Sequence, residues 1–204
     1  MVNPVVAIGA SAGGLEAISE LLAALPSTSE MAHVVIQHLD PEHKSLLADI
    51  LEKKTTVPVD TIHEGMEVKP GRVYVMPQNV TLTLSDNQFH LTPRASGRHH
   101  PIDAFFISLA EARADAAIGV VLSGADADGT LGMQAIKEGG GITFAQTPES
   151  ARFGSMPRSA IESDCVDFVL PPREIAHELT RLGRHPFLAR PSEQPDEASA
   201  ASGC

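Results

Sequence analysis

The stretch Val5-Val6-Ala7-Ile8-Gly9-Ala10-Ser11-Ala12-Gly13-Gly14-Leu15 decides the fold. Its apolar start, Val5 to Ile8, reads as a buried strand, and Gly9 to Gly14 as a turn. Leu15, Ile18, Leu22 and Leu25 then recur at helical spacing until Pro26 stops the segment. Strand, glycine turn and helix in that order form a βα unit, which belongs to a mainly parallel sheet. Working outward, His33 to Gln37 is a second strand, and Asp40-Pro41 is an N-cap and first-turn proline for a helix through Leu46, Leu47, Ile50 and Leu51. A helix from Pro101 places Ile102, Phe105, Phe106 and Leu109 on one face. Ala117 to Leu122 is an apolar strand, Thr130 to Lys137 a helix closed by Gly139-Gly140-Gly141, and Ile142 to Ala145 a further strand. Val166 to Leu170 and a helix from Pro172 to Leu182 close the domain.

The expected class is therefore α/β, a doubly wound, mainly parallel sheet flanked by helices. Between Val57 and Thr92 the pattern changes to period two, in Val73 to Met76, Val80 to Leu84 and Phe89 to Thr92 around the turn Ser85-Asp86-Asn87, and predicts an antiparallel β-hairpin insertion. Residues 1–184 read as one catalytic-type domain. Residues 185–204 are rich in Pro, Ser, Ala and acids and read as a disordered polar tail or the start of a linker.

Composition narrows the function. The chain has 204 residues, and 15 Lys and Arg against 26 Asp and Glu give a net charge of −11, which repels nucleic-acid backbones and anionic lipid. With no Trp and one Tyr, platforms for stacking single-stranded bases are scarce. Two cysteines, Cys165 and Cys204, make no disulfide framework and suit a reducing compartment. The start, Met1-Val2-Asn3-Pro4, has no basic leader, and its apolar run is too short for a spanning helix, so a cytoplasmic location without membrane insertion is expected.

Ser11 lies on a tight strand-to-helix turn in a Gly-x-Ser-x-Gly pattern, Gly9 to Gly13. This is where a nucleophile is exposed at the carboxyl end of a strand, with backbone N–H groups nearby for an oxyanion. A serine bonding its own helix start explains the pattern equally well. Dinucleotide binding fits poorly, because Ser11 stands where the fingerprint requires its middle glycine and no acid ends the second strand at Gln37. His38 follows the second strand directly and is the candidate general base. Asp128 follows the strand ending at Leu122; taken alone it reads as an N-cap, with Asp126 two residues earlier as a competitor. Three such residues after three βα strands converge on a Ser-His-Asp triad for acyl transfer to water, since ligands bind open α/β sheets at the carboxyl ends of the strands. The order Ser, His, Asp differs from that of the α/β-hydrolases. His99 and His100 beside Asp103 lack the spacing of helical metal ligands, so no metal or other cofactor is expected, and they read instead as the mouth of the cleft.

The segments IGASAGG around Ser11, VVIQHLDPEH around His38, LSGADADGTLGM around Asp128 and FGSMPRSAI from Phe153 together resemble the catalytic domain of the chemotaxis protein-glutamate methylesterase family, CheB, over about Val5 to Leu182. HHPIDAFFISLA and GMEVKPGRVYVMPQN are similar to the form fused to a CheR-type methyltransferase. The resemblance implies a cytoplasmic serine hydrolase of chemotactic signal transduction that removes methyl groups from receptor glutamates, some members also deamidating receptor glutamines. It maps the nucleophile to Ser11, the base to His38 and the orienting acid to Asp128. Oxyanion donors fall at the backbone of Ala12 and Ala125, positions where the family often has Thr and Met. The implied partners are a methylated chemoreceptor or receptor-like protein and a CheR-type methyltransferase domain in cis or in trans. The first strand begins too early for a preceding receiver domain, so control by phosphorylation in cis is not expected. A non-catalytic regulatory or scaffold domain keeping the fold is the alternative.

Overall fold

A computed structural model describes residues 3–37, 46–94 and 100–184. Seven strands form one sheet: β1 (Val5–Ala10), β2 (Ala32–Gln37), β3 (Val59–Thr61), β4 (Arg72–Val75), β7 (Ala117–Val121), β8 (Ile142–Gln146) and β9 (Phe168–Leu170). Their spatial order is β3-β4-β2-β1-β7-β8-β9, and every neighbouring pair is parallel. From β1 the chain first builds outward through β2 and then, after β4, returns to add β7 on the opposite side. The switch point, where an open α/β sheet leaves a crevice at its carboxyl edge, thus lies between β1 and β7.

Alternation within β1 shows why both faces are covered. Val5 and Ala7 join the core under α3 (Pro101–Arg113), α4 (Thr130–Glu138) and α5 (Ser155–Glu162), while Val6, Ile8 and Ala10 pack under α1 (Gly14–Ala23), α2 (Leu47–Glu52) and α6 (Pro172–Gly183). All six β1 residues are buried, as expected for a central parallel strand. In α1 the buried face is Ala17, Ile18, Leu21 and Leu22, and Leu15 stands exposed instead.

One expectation is corrected. Val73 to Val75 does not belong to an antiparallel insertion: β4 runs parallel to β2, with Val35 opposite Val75, and β3 extends the sheet beyond it. Period two reports a strand but not its partner. The antiparallel unit is the single hairpin of β5 (Val80–Ser85) and β6 (Gln88–Pro93), which lies on α3, where the Leu84 N–H donates to Ser108 Oγ. Tyr74 and Phe89, with ring centroids 5.0 Å apart, join the hairpin to the main core. The short α5 gave no periodic signal, since its buried residues are only Met156, Pro157 and Ala160.

His33 is the exceptional residue of β2. It is fully buried, and neither ring nitrogen has a hydrogen bond of good geometry. Burial pushes the imidazole from 6.5 down to about 4, the backbone of Arg72 offsetting only part of the effect. The folded state therefore prefers neutral His33, and its stability is complete above pH 6.5 and declines as pH falls from there towards 4. Urea unfolding should show wild type losing about 2 kcal/mol relative to His33→Leu between pH 7.5 and pH 5. An unchanged difference between the two proteins would refute this reading of His33.

Candidate functional site at the carboxyl edge of the sheet

Three loops meet beyond β1, β7 and β8. After β1, the Ser11 N–H donates to the Ser123 carbonyl at 3.0 Å, and the Gly14 N–H closes the turn on the Ser11 carbonyl at 2.9 Å. Gly13 takes φ of 70°, and a Cβ there would stand 2.9 Å from both Ser123 Oγ and Arg152 Cβ, so this position requires glycine on two counts. Ser123 is fully buried. Its hydroxyl donates to the Ala12 carbonyl at 2.8 Å and accepts the Phe153 N–H at 3.0 Å. Its N–H donates to Gln146 Oε1 at 2.9 Å. The Gly124 N–H to the Phe153 carbonyl at 2.9 Å completes the junction with the loop after β8.

Asp128 is fully buried. It does not cap its own helix. Its Oδ2 accepts the Ile102 N–H at 3.1 Å and its Oδ1 the Asp103 N–H at 3.0 Å, two of the first N–H groups of α3. In return Asp103, in the first turn of α3, accepts the Gly132 N–H of α4 at 2.8 Å through Oδ1. The start of α3 is thus capped by Asp128 from the loop leading into α4, the start of α4 is held by Asp103 of α3, and neither helix has a side-chain bond from its own N-cap residue. Burial raises the Asp103 carboxyl above its ordinary range; the Gly132 N–H opposes this and the nearby Asp128 charge adds to it. Asp126, the competitor, is exposed and accepts the Asp128 N–H at 3.2 Å.

The structure therefore places Ser11 and Asp128 on the loops flanking the β1–β7 switch point. His38 lies outside the described residues. The strand that delivers it, β2, ends at Gln37 directly beside Ala10, level with the end of β1. Among the described residues Ala12 and Ala125 donate no hydrogen bond from their N–H groups to a protein acceptor. His100 is half-exposed, with Nδ1 3.7 Å from Asp128 Oδ1. His100, Asp103 and Asp128 present ligand-type atoms within 4.8 Å of one another. The backbone N–H groups already held by both carboxylates make the trio helix caps first, and their donor set favours no metal in particular. Ser123, Gln146 and Asp103 carry no local motif, because each acts on an element distant in sequence.

A parallel sheet wound in both directions, with small-residue turns and a buried carboxylate gathered at its switch point, defines a doubly wound α/β protein with its crevice at the carboxyl edge. The CheB methylesterase family model matches residues 6–179. The chain belongs to the CheB methylesterase family, an enzyme family. A putative protein-glutamate methylesterase/protein-glutamine glutaminase of Leptospira interrogans is 36% identical over 183 residues, covering 88% of this chain and 95% of that protein. The protein-glutamate methylesterase/protein-glutamine glutaminase of Bordetella parapertussis is 39% identical over 186 residues, 87% of this chain and 53% of the relative, so the chain spans about half of that longer protein. The crystal structure of the Thermotoga maritima CheB methylesterase catalytic domain superimposes with a TM-score of 0.81 at 30% identity, over 89% of this chain and all of that domain. No helix among the described residues is long and apolar enough to cross a membrane.

Removing Asp128 leaves two buried N–H groups of α3 without their acceptors. Asp128→Ala should lower the unfolding free energy by about 1–3 kcal/mol in urea titrations, whereas the exposed Asp126→Ala should cost clearly less. Equal effects would contradict the cross-capping role.

Proposed function

We propose that this chain hydrolyses γ-methyl esters of glutamate side chains on methylated chemoreceptor-like proteins, with Ser11 as nucleophile, His38 as general base and Asp128 as the orienting acid. The observation that carries the reading is Asp128 itself. It is a fully buried carboxylate, fixed through both oxygens and held at the β1–β7 switch point, next to the strand that leads into the Ser11 turn and has the end of β2 on its other side.

In the first half-reaction Ser11 Oγ attacks the ester carbonyl while His38 takes its proton. The carbonyl π electrons move onto oxygen, where the N–H groups of Ala12 and Ala125 receive the charge. The tetrahedral centre collapses with cleavage of the C–O bond to methanol, which receives the proton from His38. Water, deprotonated by His38, then attacks the acyl-serine, and the proton returns to Ser11 as the glutamate carboxyl leaves. Asp128 holds the imidazole ring and stabilises its cationic form without itself taking the proton. Three side chains, two backbone donors and water balance every step, so no cofactor enters. A glutamine side chain follows the same path with ammonia as leaving group, which accords with the paired activities in the relatives' names. The setting is the cytoplasm, where a CheR-type methyltransferase, in cis or in trans, supplies the esters that this site removes.

The test is methanol release from a methylated receptor fragment by wild type and by Ser11→Ala at matched fold content by circular dichroism. Wild type should release methanol and Ser11→Ala should fall by about 10³-fold or more. Equal release by both would exclude Ser11 as nucleophile. No release by either, from a fragment that another esterase demethylates, would remove the esterase reading.

A further inference from the structure

We propose that Ser123 is a positioning residue for the acyl-transfer step: its buried hydroxyl fixes the Ala12–Gly13 peptide, directly after the Ser11–Ala12 peptide, and so keeps the Ala12 N–H aimed at the oxyanion. The inference rests on the reading of Ser11 as nucleophile.

The argument follows from the planarity of the trans peptide, in which a carbonyl and the next residue's N–H point in opposite directions. Fixing a carbonyl therefore fixes the following donor. The Ser11 carbonyl is held by the Gly14 N–H at 2.9 Å, which turns the Ala12 N–H away from the start of α1. The Ala12 carbonyl is held by Ser123 Oγ at 2.8 Å, which turns the Gly13 N–H away from β7. The Ser11 N–H is itself bound by the Ser123 carbonyl at 3.0 Å, so it is withdrawn from the donor set. Ser123 thus grips the peptides before and after the Ser11–Ala12 peptide, the first through its carbonyl and the second through its hydroxyl, and Gly14 holds the Ser11–Ala12 peptide that carries the needed N–H.

The direction of the Ser123 hydroxyl is also determined. The Phe153 N–H donates to Oγ at 3.0 Å and occupies a lone pair, leaving the hydroxyl proton to the Ala12 carbonyl, the shorter of its two acceptor contacts. The Ser123 N–H is held in turn by Gln146 Oε1, and Gln146 Nε2 donates to Ser150 Oγ at 3.2 Å. Ser123 and Gln146 are both buried and together use bonds from three loops to hold one turn. A buried polar pair of this kind contributes rigidity in proportion to how fully it is satisfied. A donor preset towards the developing oxyanion acts on the transition state more than on the bound ester, so its loss falls on kcat.

The experiment compares Ser123→Thr and Ser123→Val, which share a shape and differ in the hydroxyl, with Ser123→Ala as a smaller substitution should Val not fold. Readouts are kcat and KM for methanol release, and the rate of fluorophosphonate labelling at Ser11 by mass spectrometry. Thr should stay near wild type. Val and Ala should lose about 10–10²-fold in kcat, with KM nearly unchanged and labelling slowed in parallel. Val or Ala matching Thr, or a rise in KM at constant kcat, would overturn the proposal. Wild type that is not labelled at Ser11 would remove the nucleophile reading and this proposal together; normal labelling in wild type and all variants would remove only the proposal.

Discussion

The site depends on the exchange of caps between α3 and α4. Asp128 closes the N-terminus of α3, and Asp103 closes that of α4. A helix start leaves N–H groups unpaired, and burying them without acceptors is costly. Here both starts are pressed onto the same end of the sheet, and one pair of carboxylates satisfies both. The exchange also keeps the backbones close. A Cβ at Gly132 would collide with Phe106, and one at Gly9 or Gly129 with Ile102, so glycine is required where α3 crosses the ends of β1 and β7.

The same arrangement explains how a carboxylate can be kept fully buried at the carboxyl edge of the sheet, beside the proposed reaction centre. Burial of a lone charge is unfavourable, but two N–H donors and the positive end of α3 offset much of that cost for Asp128. The two bonds also leave the carboxylate no freedom to rotate. In the proposed triad the acid that orients the imidazole requires that fixity, and the two N–H bonds from α3 supply it to Asp128 while Asp126 stays exposed. Asp103 takes the complementary part, holding the Gly132 N–H of α4 while its burial and the nearby Asp128 raise its carboxyl above the ordinary range.

How much of this was legible in the sequence follows from how local each feature is. The doubly wound sheet and the positions of Ser11 and Asp128 were legible because strand, small-residue turn and helix lie contiguous in the chain. Asp128 could be read as an N-cap, but which helix it caps could not, because Ile102 and Asp103 lie 26 and 25 residues away. Ser123 is in sequence one more small residue between Leu122 and Gly124; its meaning depends on Ala12 and Phe153, brought in from distant loops. The placement of Val73 to Val75 failed for a related reason, since alternation looks the same in a hairpin and in a strand with both faces covered.

In the proposed triad Asp128, fixed by α3, serves His38 rather than the nearby His100. Proton NMR of the strongly deshielded imidazole N–H region tests it directly, since a ring N–H bonded to a buried carboxylate resonates far downfield. Wild type should show one such resonance, lost in Asp128→Ala and His38→Gln and retained in His100→Gln. A resonance that survives His38→Gln and disappears in His100→Gln would contradict it.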